Sequence, residues 1–305
     1  MIRVSSENKG QDLCVSGEAL QAWWHWAQGI IPASERESGL RELKQFLSAF
    51  TALSPLEITL HRFPPQICLK LSLAELQDRW QRRWQERVPL QYLIGTVYWH
   101  DLELVVAPSV LIPRPETEEL LEVVAATVPP WQQHGHWLDL GTGSGAIAIG
   151  LARFFPAAFV HAVDCSPEAL EVAHINIEKY SLSNRVQCYV GNWFAPVVHL
   201  KGQVQGIVSN PPYIPTSLVD TLQPEVQYHE PRLALDGGAD GLEAIRQIVE
   251  TAPKYLQPQG WLFIELMATQ GAAVAALAMA TQAYKRVEIL KDLSGHDRFL
   301  LAQRI

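Results

Sequence analysis

Leu138-Asp139-Leu140-Gly141-Thr142-Gly143-Ser144-Gly145 is a strand ending that breaks into glycines and runs directly into an apolar segment, Ala146 to Phe154. A strand that turns tightly into a helix needs glycine wherever φ is positive or a ligand comes against the backbone. Gly141, Gly143 and Gly145 fill those places, and Thr142 and Ser144 add hydroxyls. Open α/β sheets bind ligands at such loops, beyond the carboxyl ends of their strands. A glycine loop alone fits NAD as well as other nucleoside cofactors, so the neighbouring strands must decide.

Working outward, β-like and α-like segments alternate. Trp137 to Leu140 leads into the helix Gly145 to Phe154, and Phe159 to Val163 into Pro167 to Tyr180, capped by Ser166. Val186 to Val190, Gly206 to Ser209 and Trp261 to Glu265 read as further buried strands. Lys285 to Leu290 and Arg298 to Gln303, split by Ser294-Gly295, form a hairpin-like finish. This alternation predicts an α/β, Rossmann-like sheet, mostly parallel and wrapped by helices.

Asp164 closes the second strand 19 residues after Gly145, placed to accept hydrogen bonds from both hydroxyls of a ribose. Asn192-Trp193-Phe194 closes the third, offering an amide to a purine edge and an indole face to its ring. Asp139, just before the loop, is placed either to hold a cationic amino-acid end or to brace the turn backbone.

Asn210-Pro211-Pro212-Tyr213 follows the fourth strand and so faces the same cleft. The prolines lack N–H groups and lock φ, which leaves their carbonyls as free acceptors. The Asn210 side-chain oxygen and the Pro211 carbonyl can each accept one N–H of a planar NH2 group. That double acceptance draws electron density onto the nitrogen and aims it, with positioning and electrostatics doing most of the catalytic task. Tyr213 is available to stack on a planar amide or base.

The first 90 residues read as a helical bundle. Ser16 precedes Leu20, Trp23, Trp24, Ala27 and Ile30 at helical spacing, and Ser34 with Glu37 precedes Leu40, Leu43, Leu47 and Phe50. Ser54-Pro55-Leu56-Glu57 and Ser72 with Glu75 are capping boxes. The last helix carries Leu76, Trp80 and Trp84 on one face and Arg79, Arg82, Arg83 and Arg87 away from it, either a solvated face or a docking face for an acidic partner. Residues 91–112, with β-rich runs Tyr92 to Trp99 and Leu102 to Val106, suggest a hairpin linker, and 113–305 the α/β domain. Prolines on either side of Arg114, in Ile112-Pro113-Arg114-Pro115-Glu116-Thr117-Glu118, stiffen a loop that presents a side chain or simply starts a helix.

With 48% hydrophobic residues in 305, the chain can bury a full core, and no apolar run approaches the ~20 residues of a membrane span. A missing secretory signal makes cytoplasm the expected location. Residues 1–90 carry 11 Lys/Arg against 10 Asp/Glu and the remainder 13 against 22, a strongly acidic half that repels phosphate backbones and argues against non-specific nucleic-acid binding. Cys14, Cys68, Cys165 and Cys188 are scattered, with no metal spacing, and read as ordinary thiols. His134 and His136 read as surface histidines ahead of the first strand.

The motifs Asp139 to Gly145, Asp164, Asn192-Trp193-Phe194 and Asn210 to Tyr213 resemble those of class I S-adenosylmethionine-dependent methyltransferases. With Ile112 to Glu118, Glu230-Pro231-Arg232 and Asp236 to Leu242, the stretch 85–305 is similar to the PrmC/HemK family of protein-(glutamine-N5) methyltransferases. The resemblance implies transfer of a methyl group from S-adenosyl-L-methionine, leaving S-adenosyl-L-homocysteine, to the glutamine of a Gly-Gly-Gln tripeptide in peptide chain release factors. It implies that Asp139, Gly141 to Gly145, Asp164, Asn192, Trp193 and Asn210 hold the donor. Asn210 to Tyr213, with Arg114, would hold the glutamine, and the helical domain would grip the factor. Two positions depart from the family pattern: Asn192, usually acidic, and Leu266-Met267, usually Ile-Gly.

The rival reading is an exocyclic-amino methyltransferase acting on DNA or RNA, which uses a similar turn. The acidic catalytic half and the lack of an aromatic–basic stretch for a flipped base's strand favour a protein substrate. A donor-binding module without catalysis is the remaining alternative, opposed by an intact Asp164 and Asn210.

Overall fold

The computed structural model describes residues 13–305, and the chain divides between Ile94 and Gly95 into two units. The first comprises β1 (Leu13–Ser16), α1 (Gly17–Gly29), α2 (Arg36–Phe50), α3 (Pro55–Thr59), β2 (Gln66–Leu69), α4 (Leu73–Gln85) and α5 (Leu90–Ile94). Its helix starts follow from capping chemistry. Ser16 Oγ accepts from Ala19 N, and the Ser54/Glu57 and Ser72/Glu75 pairs close reciprocal boxes, each cap being worth about 1 kcal/mol. Leu20, Trp24, Phe46, Leu47 and Trp80 are almost completely buried. The Trp80 indole donates to the Ala27 carbonyl at 2.9 Å, so the ring is buried without an orphaned N–H.

Several expectations for this unit change. Ser34 lies in a 3-10 turn, 33–35, and caps nothing; α2 begins after Glu35 without a side-chain cap. β1 and β2 pair antiparallel, joining segments too far apart in sequence for local patterning to pair them. Tyr92 to Ile94 are helical, because Leu90 and Leu93 are drawn into the bundle core. Three of the four arginines are used within the unit, and Arg82 pairs with Glu86 at the surface. Arg83 is buried, with its guanidinium forked onto Glu42 at 2.6 and 3.0 Å and lying over Trp84. Arg87 reaches Glu35, and Arg79 donates to the Leu93 carbonyl.

The second unit comprises β3 (Thr96–Trp99), β4 (Leu102–Val105), α6 (Pro115–Thr127), β5 (His134–Leu140), α7 (Ala146–Phe154), β6 (Ala157–Asp164), α8 (Pro167–Lys179), β7 (Val186–Val190), β8 (Val204–Ser209), α9 (Thr216–Val219), α10 (Pro224–His229), α11 (Glu243–Thr251), β9 (Leu256–Glu265), α12 (Gly271–Ala280), β10 (Tyr284–Lys291) and β11 (Asp297–Arg304). Seven strands form one sheet in the order β10-β11-β9-β8-β5-β6-β7. β5 to β9 are mutually parallel, and β11 runs antiparallel to both β9 and β10. Strand alternation divides the core. Trp137, Val160 and Phe263 face α6, α7 and α8, whereas Leu138, Leu140, Ile207 and Ile264 face α11 and α12. Gly206 makes room for Trp137, whose ring stands where a Cβ would have to go.

After β7 the chain crosses to lay β8 on the other side of β5, so the strand order reverses between β5 and β8. A crevice opens at such a switch point, at the carboxyl ends of the strands. The β3–β4 hairpin is packed into this unit rather than spanning free between two. Trp99, Leu102 and Leu104 are buried in its core, and Asn176 of α8 bonds both the N–H and the carbonyl of Val105. No described helix is long and apolar enough to cross a membrane.

Candidate active site

A cavity of about 510 Å³ occupies the switch point, in the size range of small-molecule sites. Its wall includes Gly141, Thr142, Gly143 and Ser144 from the β5–α7 loop, Asp164 from the end of β6, and Asn192 and Trp193 after β7. Asn210 and Pro212 after β8, and Arg114 and Thr117 at the start of α6, complete it. Segments more than 90 residues apart are thus brought together by the strand order and by α6 packed against the sheet.

The glycine loop is built around Asp164. Its Oδ2 accepts from Gly143 N at 2.8 Å and its Oδ1 from Ser166 N at 3.0 Å. Each carboxylate oxygen keeps a further acceptor position, as two vicinal hydroxyls require. Asn176 holds the other side of the loop by donating to the Ser144 carbonyl. Trp193 adopts φ +48°, a conformation that bulky residues take only when the surroundings impose it, and its indole lies 3.7 Å from where a Gly141 side chain would begin. A nucleoside-bearing, sulfonium-type donor fits this set: paired acceptors at Asp164, an aromatic face at Trp193 and a backbone stripped of side chains between them.

Asp139 takes the second of its two expected roles. Strand alternation turns it under α7, fully buried and off the cavity wall, where Oδ2 accepts from Thr142 Oγ1 at 2.5 Å and Ala148 N at 3.0 Å. It braces the turn, and burial pushes its carboxyl up to about 7. Gly145 is likewise structural: with φ +85° it precedes α7, close against Ala173.

The acceptor turn rests on a buried polar relay. Asn210 Nδ2 donates to Thr117 Oγ1 at 3.0 Å, and Thr117 Oγ1 donates to Glu265 Oε2 at 2.7 Å. The other oxygen of Glu265 accepts from the Tyr213 hydroxyl at 3.2 Å. Burial pushes the Glu265 carboxyl up, opposed by these two hydrogen bonds and by Arg298; the same burial, with Glu265 beside it, raises the Tyr213 phenol. The Tyr213 hydroxyl and the buried Pro211 ring are packed away from the cavity and anchor the turn, whereas Asn210 and Pro212 line it.

Residues 236–241 support the turn from behind. Gly237 N donates to the Ile214 carbonyl, and Gln270 Nε2 donates to the carbonyls of Tyr213 and Gly241. A side chain at Gly241 would strike the Tyr213 carbonyl at 2.4 Å, which explains a glycine there. Met267 N donates to Oε1 of the same Gln270 at 3.0 Å, and Leu266, beside it, is fully buried. At the opposite rim, Arg114 Nη2 reaches both oxygens of Glu230 at 2.7 Å. Burial pushes the Glu230 carboxyl up against the pull of Arg114.

Thr117 and Glu265 carry no motif signal of their own: Thr117 lies within Ile112 to Glu118, but its partner is 148 residues away. His134 and His136 lie within β5, and His136 bonds His161 at 2.9 Å.

The fold and the site define a class I methyltransferase. A family model for the methyltransferase small domain matches residues 116–222, the stretch carrying both the glycine loop and the acceptor turn. The catalytic domain of hMettl16, solved with an RNA hairpin, superposes with a TM-score of 0.53 at 13% identity, over 88% of this chain and 91% of that one, a likeness of fold. A release factor glutamine methyltransferase of Thermosynechococcus vestitus is 86% identical, covering 95% of this chain and 99% of its own. One from Synechocystis sp. is 45% identical over 98% of this chain and 99% of its own. The chain belongs to the release factor glutamine methyltransferase family.

Proposed function

We propose that this protein transfers the methyl group of S-adenosylmethionine to the side-chain amide nitrogen (N5) of the glutamine in the Gly-Gly-Gln motif of peptide chain release factors. At the level of atoms the reading is carried by the orientation of Asn210. Because Nδ2 is committed to Thr117, Oδ1 is the atom left to face a substrate, as an acceptor.

The bound donor supplies an electrophilic methyl carbon on a sulfonium. Gly141 to Ser144, Asp164, Asn192 and Trp193 are the residues assigned to hold it. Asn210 Oδ1 and the Pro211 carbonyl each accept one N–H of the glutamine amide. An amide nitrogen is a poor nucleophile because its lone pair is delocalised onto the carbonyl; two acceptors on its N–H bonds return density to it and fix its line of approach. Preorganised polar groups of this kind contribute about 3 kcal/mol each. The proton leaves to water as the new N–C bond forms, so no side chain of raised basicity is required. Arg114, with Nη2 bound to Glu230, keeps its remaining donors for a peptide carbonyl beside the glutamine. The helical unit is assigned to gripping the factor away from the reacting atom.

The test is methyl transfer from labelled S-adenosylmethionine to purified release factor, with the factor's Gln→Ala form, DNA and ribosomal RNA in parallel. Label is expected on the factor alone and lost in the Gln→Ala form. Label on nucleic acid alone would transfer the acceptor turn to base recognition.

A further inference from the structure

In the helical unit, β1 and β2 pair antiparallel with Cys14 directly opposite Cys68, and their sulfurs are 2.9 Å apart. Neither sulfur is in a disulfide, and with Cys14 partly exposed and Cys68 exposed, reagents in solution can reach them. A disulfide needs an S–S distance of about 2.05 Å between residues whose side chains already face each other. The facing pair satisfies the second condition and lies less than about 1 Å from the first. We infer that Cys14 and Cys68 form a reversible dithiol–disulfide pair that staples β1 to β2.

The other two cysteines offer a contrast within the same chain. Burial and the nearby Asp164 carboxylate raise the Cys165 thiol, and burial pushes Cys188 up to about 12, which disfavours the thiolate that exchange requires. Neither has another cysteine opposite it in a strand pair.

The reaction balances with a disulfide-bearing oxidant such as oxidised glutathione. The thiolate of exposed Cys68 attacks one sulfur of the oxidant, forming a mixed disulfide and releasing one reduced thiol. The Cys14 thiolate then displaces the second thiol and closes the Cys14–Cys68 bond. The protein loses two protons and two electrons, and the oxidant is reduced to two thiols. Reduced dithiol reverses both steps.

The bond would tie residues 54 positions apart, enclosing α1, α2 and α3. It would restrict the unfolded chain of the helical unit while leaving the catalytic cavity untouched. The gate is therefore on the persistence of the helical unit, and it is independent of the reaction the other unit performs.

The full-length chain is equilibrated with reduced and oxidised glutathione at graded ratios, quenched by alkylation, and its thiols are counted and mapped. The four cysteines of the reduced chain are expected to fall to two, with a Cys14–Cys68 cross-linked peptide and a mass lower by two hydrogens. The unfolding midpoint of the helical unit should rise by about 5–10 °C on oxidation and return with dithiothreitol. Cys14→Ser should instead accumulate glutathione on Cys68 and lose the thermal response. Four thiols persisting at every ratio, stable glutathione adducts on the wild-type pair, or cross-links through Cys165 or Cys188 would each overturn the inference. Because the decisive counts are made on the wild-type chain, they stand even if the serine variant folds poorly.

Discussion

Asn210 Nδ2 lies 3.0 Å from Thr117 Oγ1, and through that hydroxyl the asparagine amide is tied to the buried Glu265 carboxylate. A free asparagine side chain could present either its oxygen or its nitrogen to a substrate. Here the hydroxyl's proton goes to Glu265, so the hydroxyl oxygen must accept, and the amide must donate to it. One buried carboxylate thereby dictates which end of Asn210 is left to face the cavity.

Thr117→Val keeps the shape and removes the hydroxyl. It is expected to lower kcat about 10–100-fold, some 1.4–3 kcal/mol of lost orientation, with donor affinity little changed. Thr117→Ser should restore most of the rate. Single-turnover kinetics with calorimetric donor binding separate the two effects, and a variant as fast as wild type would remove the relay from catalysis.

Asp164→Ala should act on the donor first. The substitution removes two acceptor oxygens from the proposed ribose contact and unpairs Gly143 N and Ser166 N within the loop. A rise in donor Kd of roughly 10–100-fold is expected, readable by titration calorimetry. An unchanged Kd would take the ribose away from this carboxylate.

Arg83 is expected to matter for stability rather than for docking. Its side chain is 7% exposed and forked onto Glu42, which is 26% exposed. Arg83→Ala leaves that carboxylate half-buried without its fork and should cost about 2–4 kcal/mol of helical-unit stability, measured by urea unfolding followed through tryptophan fluorescence. A raised KM for the release factor at unchanged stability would restore the docking role.

His161 supplies a pH dependence. It is 3% exposed, and burial, with His136 and His199 nearby, holds its imidazole down to about 4 from 6.5. The folded state therefore keeps it neutral while the unfolded chain takes up a proton. Its contribution is fully present above pH 6.5 and is lost as pH falls towards 4, on the order of 3 kcal/mol across that window. The difference in unfolding free energy between wild type and His161→Gln, followed from pH 7 to 4, should narrow by that amount. A constant difference would show that the two states bind protons at this residue alike.

The alternating segments, the glycine loop, Asp164 and the Asn-Pro-Pro-Tyr turn were all legible in the sequence. Each is a local device: a short period, a backbone needing positive φ, or a rigid turn whose chemistry is written in consecutive residues. The capping boxes at Ser54 and Ser72 were legible for the same reason. What only the tertiary structure decided were relations between distant residues. Asp139 faces α7 rather than the cleft because of the phase of one strand. Arg83 meets Glu42 because two helices cross, and Cys14 meets Cys68 because two short strands with helices between them pair. Thr117 and Glu265 meet across 148 residues because α6 packs against β9. Consecutive residues carry the chemistry that a backbone turn can hold by itself, whereas the direction in which each side chain points is set by packing against segments that sequence distance does not reveal.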